Sequence, residues 1–127
     1  MSKIAHVSAA TAVLAWLGLA AGCNSPRQAD PAAARDALRA AFEAWKGGRS
    51  PDACLKESSL FVIDGRWEGG CKLIEYEIAD GGEPQGYDMT FRVNLRLKDP
   101  KGRAIQETAT YRVATSPKKV VVRGDEF

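Results

Sequence analysis

Between Met89 and Lys98 every second residue is apolar. Met89, Phe91, Val93, Leu95 and Leu97 alternate with Thr90, Arg92, Asn94, Arg96 and Lys98. Successive strand residues point to opposite faces, so this unbroken period of two specifies a strand with one face buried and the other in water. Asp99-Pro100-Lys101-Gly102 follows, with Asp, Pro and Gly where a type I turn prefers them. Arg103 to Thr115 is therefore expected to return antiparallel. Ser116-Pro117 turns the chain again, and Lys118 to Arg123 makes a last strand around Val120 to Val122.

The same period governs two earlier runs. Leu60 to Ile63 is a short apolar strand. Lys72 to Ala79 places Ile74, Tyr76 and Ile78 on one face and Glu75 and Glu77 on the other. Upstream the period becomes helical. Asp30-Pro31 supplies an N-cap carboxylate and a proline at the first helical position. Ala34, Leu38, Ala41, Phe42 and Trp45 form one stripe, and Gly47-Gly48 ends it by permitting a left-handed conformation. Ser50-Pro51-Asp52 starts one further turn through Lys56. Helical and strand regions are segregated along the chain, which argues for an α+β class. The expected architecture is one N-terminal amphipathic helix on a curved antiparallel sheet of four or five strands. On its wet face Arg92, Arg96, Arg112, Glu75 and Glu77 pair across strands.

The first 23 residues follow a different logic. Lys3 is the only fixed charge before a run from Val7 to Ala21 that has none. At about 15 residues that run falls short of the roughly 20 a bilayer-spanning helix needs. The charged start, apolar middle and small-residue end make a signal-peptide layout. Leu19-Ala20-Ala21-Gly22-Cys23 resembles the lipobox of bacterial lipoproteins. That resemblance implies diacylglycerol on the Cys23 sulfur, cleavage before Cys23 by a peptidase that recognises Leu19 to Gly22, and an acyl chain added afterwards. With two or three acyl chains, anchoring to a membrane is stable. Residues 1–22 then form the signal peptide, 23–30 a lipidated tether and 31–127 a single domain. Asn24 stands where some such lipoproteins carry an inner-membrane retention Asp, and so points to the periplasmic face of the outer membrane.

Composition narrows what the remaining domain of about 105 residues does. Of 18 basic and 16 acidic side chains only Lys3 is lost with the leader, so the formal charge is near +1. That balance offers no footprint for nucleic acid and no contiguous polybasic block. The one histidine, His6, lies in the leader. Nucleophile pairs that use imidazole and zinc sites that use histidine are thereby excluded from the mature chain. No catalytic or metal-binding set is read, and no cofactor beyond the lipid. Cys54 and Cys71 are the two cysteines left over. In an exported domain they make one possible disulfide, worth about 3 kcal/mol. The alternative is two separate buried thiols.

Asp64-x-x-Trp67-x-x-Gly70-x-x-Leu73-x-x-Tyr76-Glu77-Ile78, then Val93-x-Leu95-x-Leu97-x-Asp99-x-x-Gly102, then Tyr111-x-Val113-x-Thr115-x-Pro117-x-x-Val120-Val121-Val122-Arg123, resembles a group of small uncharacterised bacterial lipoproteins. The resemblance implies a helix-on-sheet domain of the cystatin-like or nuclear transport factor two-like kind, and carries no assigned activity. The Gln-x-Val-x-Gly hairpin of protease-inhibiting cystatins is absent, since Gln106-Glu107-Thr108 does not match it. Isomerase relatives of the second kind use an Asp base and Tyr donors in an apolar cone, for which Asp64, Asp88, Tyr76, Tyr87 and Tyr111 provide the residue types. Arg123-Gly124-Asp125 spells an adhesion tripeptide without structural context. The expected role is a non-enzymatic interaction or structural domain contacting another envelope protein or an envelope polymer. The alternative is an apolar-ligand binder or carboxylate enzyme with a pocket between helix and sheet.

Overall fold

A computed structural model describes residues 27–79 and 81–124. The signal and lipobox residues, Leu19 to Cys23 included, and Asp125 lie outside the described residues. Helix α1 spans Pro31–Lys46 and buries Ala34, Ala37, Leu38, Ala41, Phe42 and Trp45, the expected stripe with Ala37 added. The Asp30 carboxylate accepts the Ala33 amide at 2.9 Å. At the other end Gly48, at φ 84°, lets the Gly48 amide donate to Trp45 O at 2.9 Å and the Arg49 amide to Ala44 O at 2.9 Å. That bond pair is a Schellman closure, which takes up carbonyls the last turn leaves open. Helix α2, Pro51–Ser58, is capped by the Ser50 hydroxyl and runs two residues past Lys56. A one-turn helix α3, Gly65–Glu68, starts on Asp64.

The strands are β1 (Leu60–Ile63), β2 (Lys72–Ile78), β3 (Glu83–Gln85), β4 (Asp88–Lys98), β5 (Ala104–Ala114) and β6 (Lys119–Arg123). They form one curled six-stranded sheet in the order β1-β6-β5-β4-β2, with β3 also on β4. The class is α+β, but the sheet is mixed rather than purely antiparallel, and three helices are described rather than one. The parallel pair is β1 with β6, from Leu60 opposite Lys119 to Ile63 opposite Val122. Alternation reports which face a side chain occupies and is blind to strand direction, so this pairing had no sequence signal. It arises because the β5–β6 hairpin closes against a strand made much earlier in the chain, and the whole of β2 to β5 acts as the crossover.

Met89, Phe91, Val93, Leu95 and Leu97 are all at most 2% exposed, the outcome the alternation requires. In the turn after β4 the Gly102 amide donates to Asp99 O at 2.8 Å, and the Asp99 carboxylate accepts the Lys101 and Arg103 amides. Gly102 adopts φ 82°, the left-handed position such a hairpin turn demands.

Strand β2 departs from strict alternation. Its register against β4 jumps between Leu73, opposite Leu97, and Glu75, opposite Arg96. The bulge absorbs Ile74, which is 40% exposed instead of buried, and puts Leu73 on the core face with Tyr76 and Ile78. We expect Leu73→Ala to cost about 2–5 kcal/mol, as buried leucine truncations do. Ile74→Ser should stay within about 1 kcal/mol, as exposed substitutions do. Chemical denaturation of the two variants checks the register, because an unbulged strand reverses their order.

Candidate functional site

Three strands carry a polar residue where the core face continues. Val62 is followed on that face by Asp64, Val121 by Arg123, and Tyr111 leads through Ala109 to Glu107. Register places Tyr111 opposite Arg123. Asp64 is 1% exposed, Tyr111 1% and Arg123 5%.

The carboxylate of Asp64 is the centre of this cluster. One oxygen, Oδ1, accepts the Arg66 amide at 2.9 Å and the Trp67 amide at 3.3 Å, capping α3. The other, Oδ2, accepts the Tyr111 hydroxyl at 2.5 Å. Arg123 Nη1 stands 3.7 Å from Oδ1. Glu68 accepts the Asp64 amide in return at 3.1 Å, so the cap is reciprocal. Arg123 also donates to Glu107 at 2.5 Å, and Arg66 grips the same carboxylate from the solvent side through Nε at 3.3 Å and Nη2 at 2.9 Å. A chain of alternating charge thus runs from the buried core to the surface.

The environment sets the protonation of each member. Burial pushes the Asp64 carboxyl above its ordinary value, against the Tyr111 hydrogen bond and the Arg123 charge, which pull it down. Burial also raises Tyr111, reinforced by the carboxylate it faces. At Glu107 burial acts upward, but the hydrogen bonds from Arg66 and Arg123 outweigh it and hold the carboxyl below its ordinary value. The two acids therefore titrate with opposite signs. Glu107 contributes stability above the unfolded value of 4.5 and loses it as pH falls through its lower folded value. Asp64 contributes fully below 3.8 and loses that contribution as pH rises through its higher folded value. Glu107→Gln should be less stable than the parent at about pH 7 yet lose less on acidification to about pH 3. Urea midpoints at the two pH values check this, and parallel pH curves for parent and variant would remove Glu107 from the acid response.

The candidates named from sequence divide sharply. Asp64 and Tyr111 meet. Tyr76 donates instead to Glu43 at 2.7 Å, its hydroxyl pushed up to about 12 by burial and that carboxylate. Asp88 pairs with Arg112 at 3.6 Å, and Tyr87 is 62% exposed. Arg123 of the tripeptide is buried in the cluster and not displayed. The Arg66 amide and the Arg123 guanidinium complete the surroundings of Asp64, and Glu107 joins the cluster through Arg123 and Arg66; none of the three is among the sequence candidates for the apolar cone. The available signal was a polar residue at a core-face position on each of three strands.

A base must offer a lone pair to a substrate. Here both Asp64 oxygens are occupied by the protein itself, and the adjoining seam is filled. Phe42 packs on Tyr76 at 4.9 Å and edge-on to Tyr111 at 5.0 Å. Trp45 stacks on Trp67 at 5.1 Å and 6°. The indole of Trp45 donates to Cys71 O at 2.9 Å and that of Trp67 to Arg49 O at 2.8 Å, so the stacked pair ties the α1–α2 loop to the start of β2. Cys54, on α2, and Cys71, before β2, are both buried free cysteines. Each packs into the core as a small apolar residue of its own element. Among the described residues no group of three or more His, Cys, Asp or Glu is placed to hold a metal.

The opposite face of the sheet carries the expected polar ladder. Arg96 pairs with Glu75 at 2.6 Å, Asn94 donates to Glu77 at 3.2 Å, and Thr108 donates to Asn94 at 2.8 Å. These side chains and Gln106 line an open groove of about 550 Å³ across β2, β4 and β5. Comparisons with protein-family models, with curated proteins and with solved structures give no match to this chain.

Proposed function

We propose that this chain is a lipid-anchored protein of a bacterial envelope whose domain works by contact and not by catalysis. The observation that carries the reading is the internal use of Asp64 and Tyr111. The acid and phenol that would serve a helix–sheet pocket bond to each other and to backbone amides, in a seam filled by Phe42 and Trp45. Such a cluster secures the ends of β1 and β6 to β5 and to α3. The polar groove across β2, β4 and β5 is then the surface offered to a partner, an envelope protein or polymer whose hydrogen-bonding groups match its mixed charges. A ligand-binding or carboxylate-enzyme reading needs an open seam, and nothing in the packing favours it. The helix laid on a curled sheet accords with the cystatin-like or nuclear transport factor two-like arrangement, which we carry as part of the proposal.

Attachment rests on Leu19 to Cys23 and places the domain on the periplasmic face of an outer membrane where the cell has two. Cys23→Ser is expected to abolish incorporation of labelled palmitate and leave an unprocessed precursor. Labelling that survives the change refutes the lipid anchor. For the contact surface, crosslinking in cells should capture one partner with the parent and lose it with Arg96→Glu, an exposed change in the groove. Capture unaffected by that reversal excludes the groove.

A further inference from the structure

We infer that one end of the sheet is a membrane-docking surface for the anionic headgroup layer in which the Cys23 lipid sits; this rests on the lipid-anchor reading above. The register brings that end together. Leu60 at the start of β1 faces Lys119 at the start of β6, Ala114 at the end of β5 faces Val120, and Met89 near the start of β4 faces Val113. The β3–β4 turn, the β5–β6 turn and the α2–β1 connection therefore lie at the same edge of the domain. The tether arrives there too. The amide of Ala29, itself 3% exposed, donates to Tyr87 O at 2.8 Å. Five residues separate Cys23 from Ala29, and the six steps between them reach at most about 22 Å. A lipid at Cys23 holds this end, and no other, close to the bilayer.

The chemistry of the end fits that position. Of the four large apolar side chains with high exposure among the described residues, three are here: Tyr87 at 62%, Leu55 at 45% and Phe61 at 43%. Leu55 lines a groove with Lys118 and Lys119 from the β5–β6 turn, and Lys56 lies in the same last turn of α2. Tyrosine suits an interface because one end of its ring system is apolar and the other is wet. Lysines beside exposed apolar side chains suit an anionic surface, where ammonium groups remain in the headgroup layer. No linear run of the sequence is polybasic. The lysines are collected by the fold from α2 and from the last hairpin. Asp30 and Glu83 share the edge, so the attraction is local to the β5–β6 side.

The experiment uses the mature lipidated protein, isotopically labelled, in nanodiscs of phosphatidylethanolamine and phosphatidylglycerol containing a spin-labelled lipid. Amides of residues 83–88 and 115–119 should be broadened far more than those of 99–102 and 65–68. Lys118→Glu with Lys119→Glu should release the 115–119 segment, because each lysine near an anionic leaflet contributes about fivefold and the pair about twenty-fivefold to the docked state. Lys98→Glu with Lys101→Glu, an equal charge change at the far end, should leave the pattern as it was. Uniform broadening, broadening greatest at 99–102, or indifference to the Lys118 and Lys119 reversal overturns the docking surface. Intact mass separates this failure from failure of the anchor: a protein carrying acyl mass but not oriented refutes only the docking, whereas a protein without acyl mass removes both.

Discussion

Asp64→Ala is expected to destabilise the domain by about 3–5 kcal/mol, the range for breaking one partner out of a buried charge pair. Three losses coincide. The α3 cap disappears, typically about 1 kcal/mol. The Tyr111 hydroxyl, donated at 2.5 Å to Oδ2, is left in a site 1% exposed. Arg123 keeps Glu107 but loses the second carboxylate beside it. For a domain of this size each kcal/mol moves the melting temperature by about 4–8 °C, so a fall of about 12–40 °C is expected. Tyr111→Phe should cost less, about 1–3 kcal/mol, because Asp64 retains two backbone donors. Asp64→Asn should be milder than the alanine variant, since it keeps an acceptor and removes a charge that burial disfavours. Thermal and urea unfolding followed by circular dichroism give the order. An Asp64→Ala protein within about 1 kcal/mol of the parent would show that the cluster does not hold the strand ends together.

Phe42→Ala is the second large effect, about 3–5 kcal/mol, as for other buried aromatic truncations. Phe42 is 1% exposed and touches Trp45, Tyr76 and Tyr111. Its edge-on contact with Tyr111 makes it the packing wall behind the Asp64 hydrogen bond. Removal should therefore couple to the polar cluster. In a double-mutant cycle Phe42→Ala and Tyr111→Phe should be non-additive by at least about 0.5 kcal/mol, as for residues in contact. Additivity within error would mean that the aromatic wall and the polar cluster are energetically separate. The same variant opens the seam, so acquired binding of a small apolar probe there would show that the parent seam is closed by Phe42 alone.

The two substitutions also separate what was legible in the chain from what was not. Phe42 belongs to a stripe whose period alone announces burial, and the caps that bound its helix are local: Asp30 reaches an amide three residues on, and Gly48 closes the last turn. The β4 alternation and the Asp99 turn are likewise interactions between near neighbours. Asp64 is different. Its carboxylate caps α3 through the amides of Arg66 and Trp67, a local contact. Its partners Tyr111 and Arg123 lie more than forty residues away, beyond any local pattern. The bulge at Ile74 shows the same limit, because strict alternation through Tyr76 and Ile78 assigned Ile74 to the core while the register against β4 excludes it.

By itself the sequence determined helices α1 and α2, strands β1, β2, β4, β5 and β6, and the buried faces of α1 and β4. All of these are encoded by residues within a few positions of one another, where periodicity and capping chemistry act. Only the tertiary structure decided that β1 runs parallel to β6, that Asp64 and Tyr111 satisfy each other, and that lysines from two segments share an edge with Tyr87 and the tether. Those outcomes depend on which distant segments meet. Burial of the same apolar faces is compatible with either strand direction, whereas the pairing actually formed determines which polar side chains at the strand ends find partners.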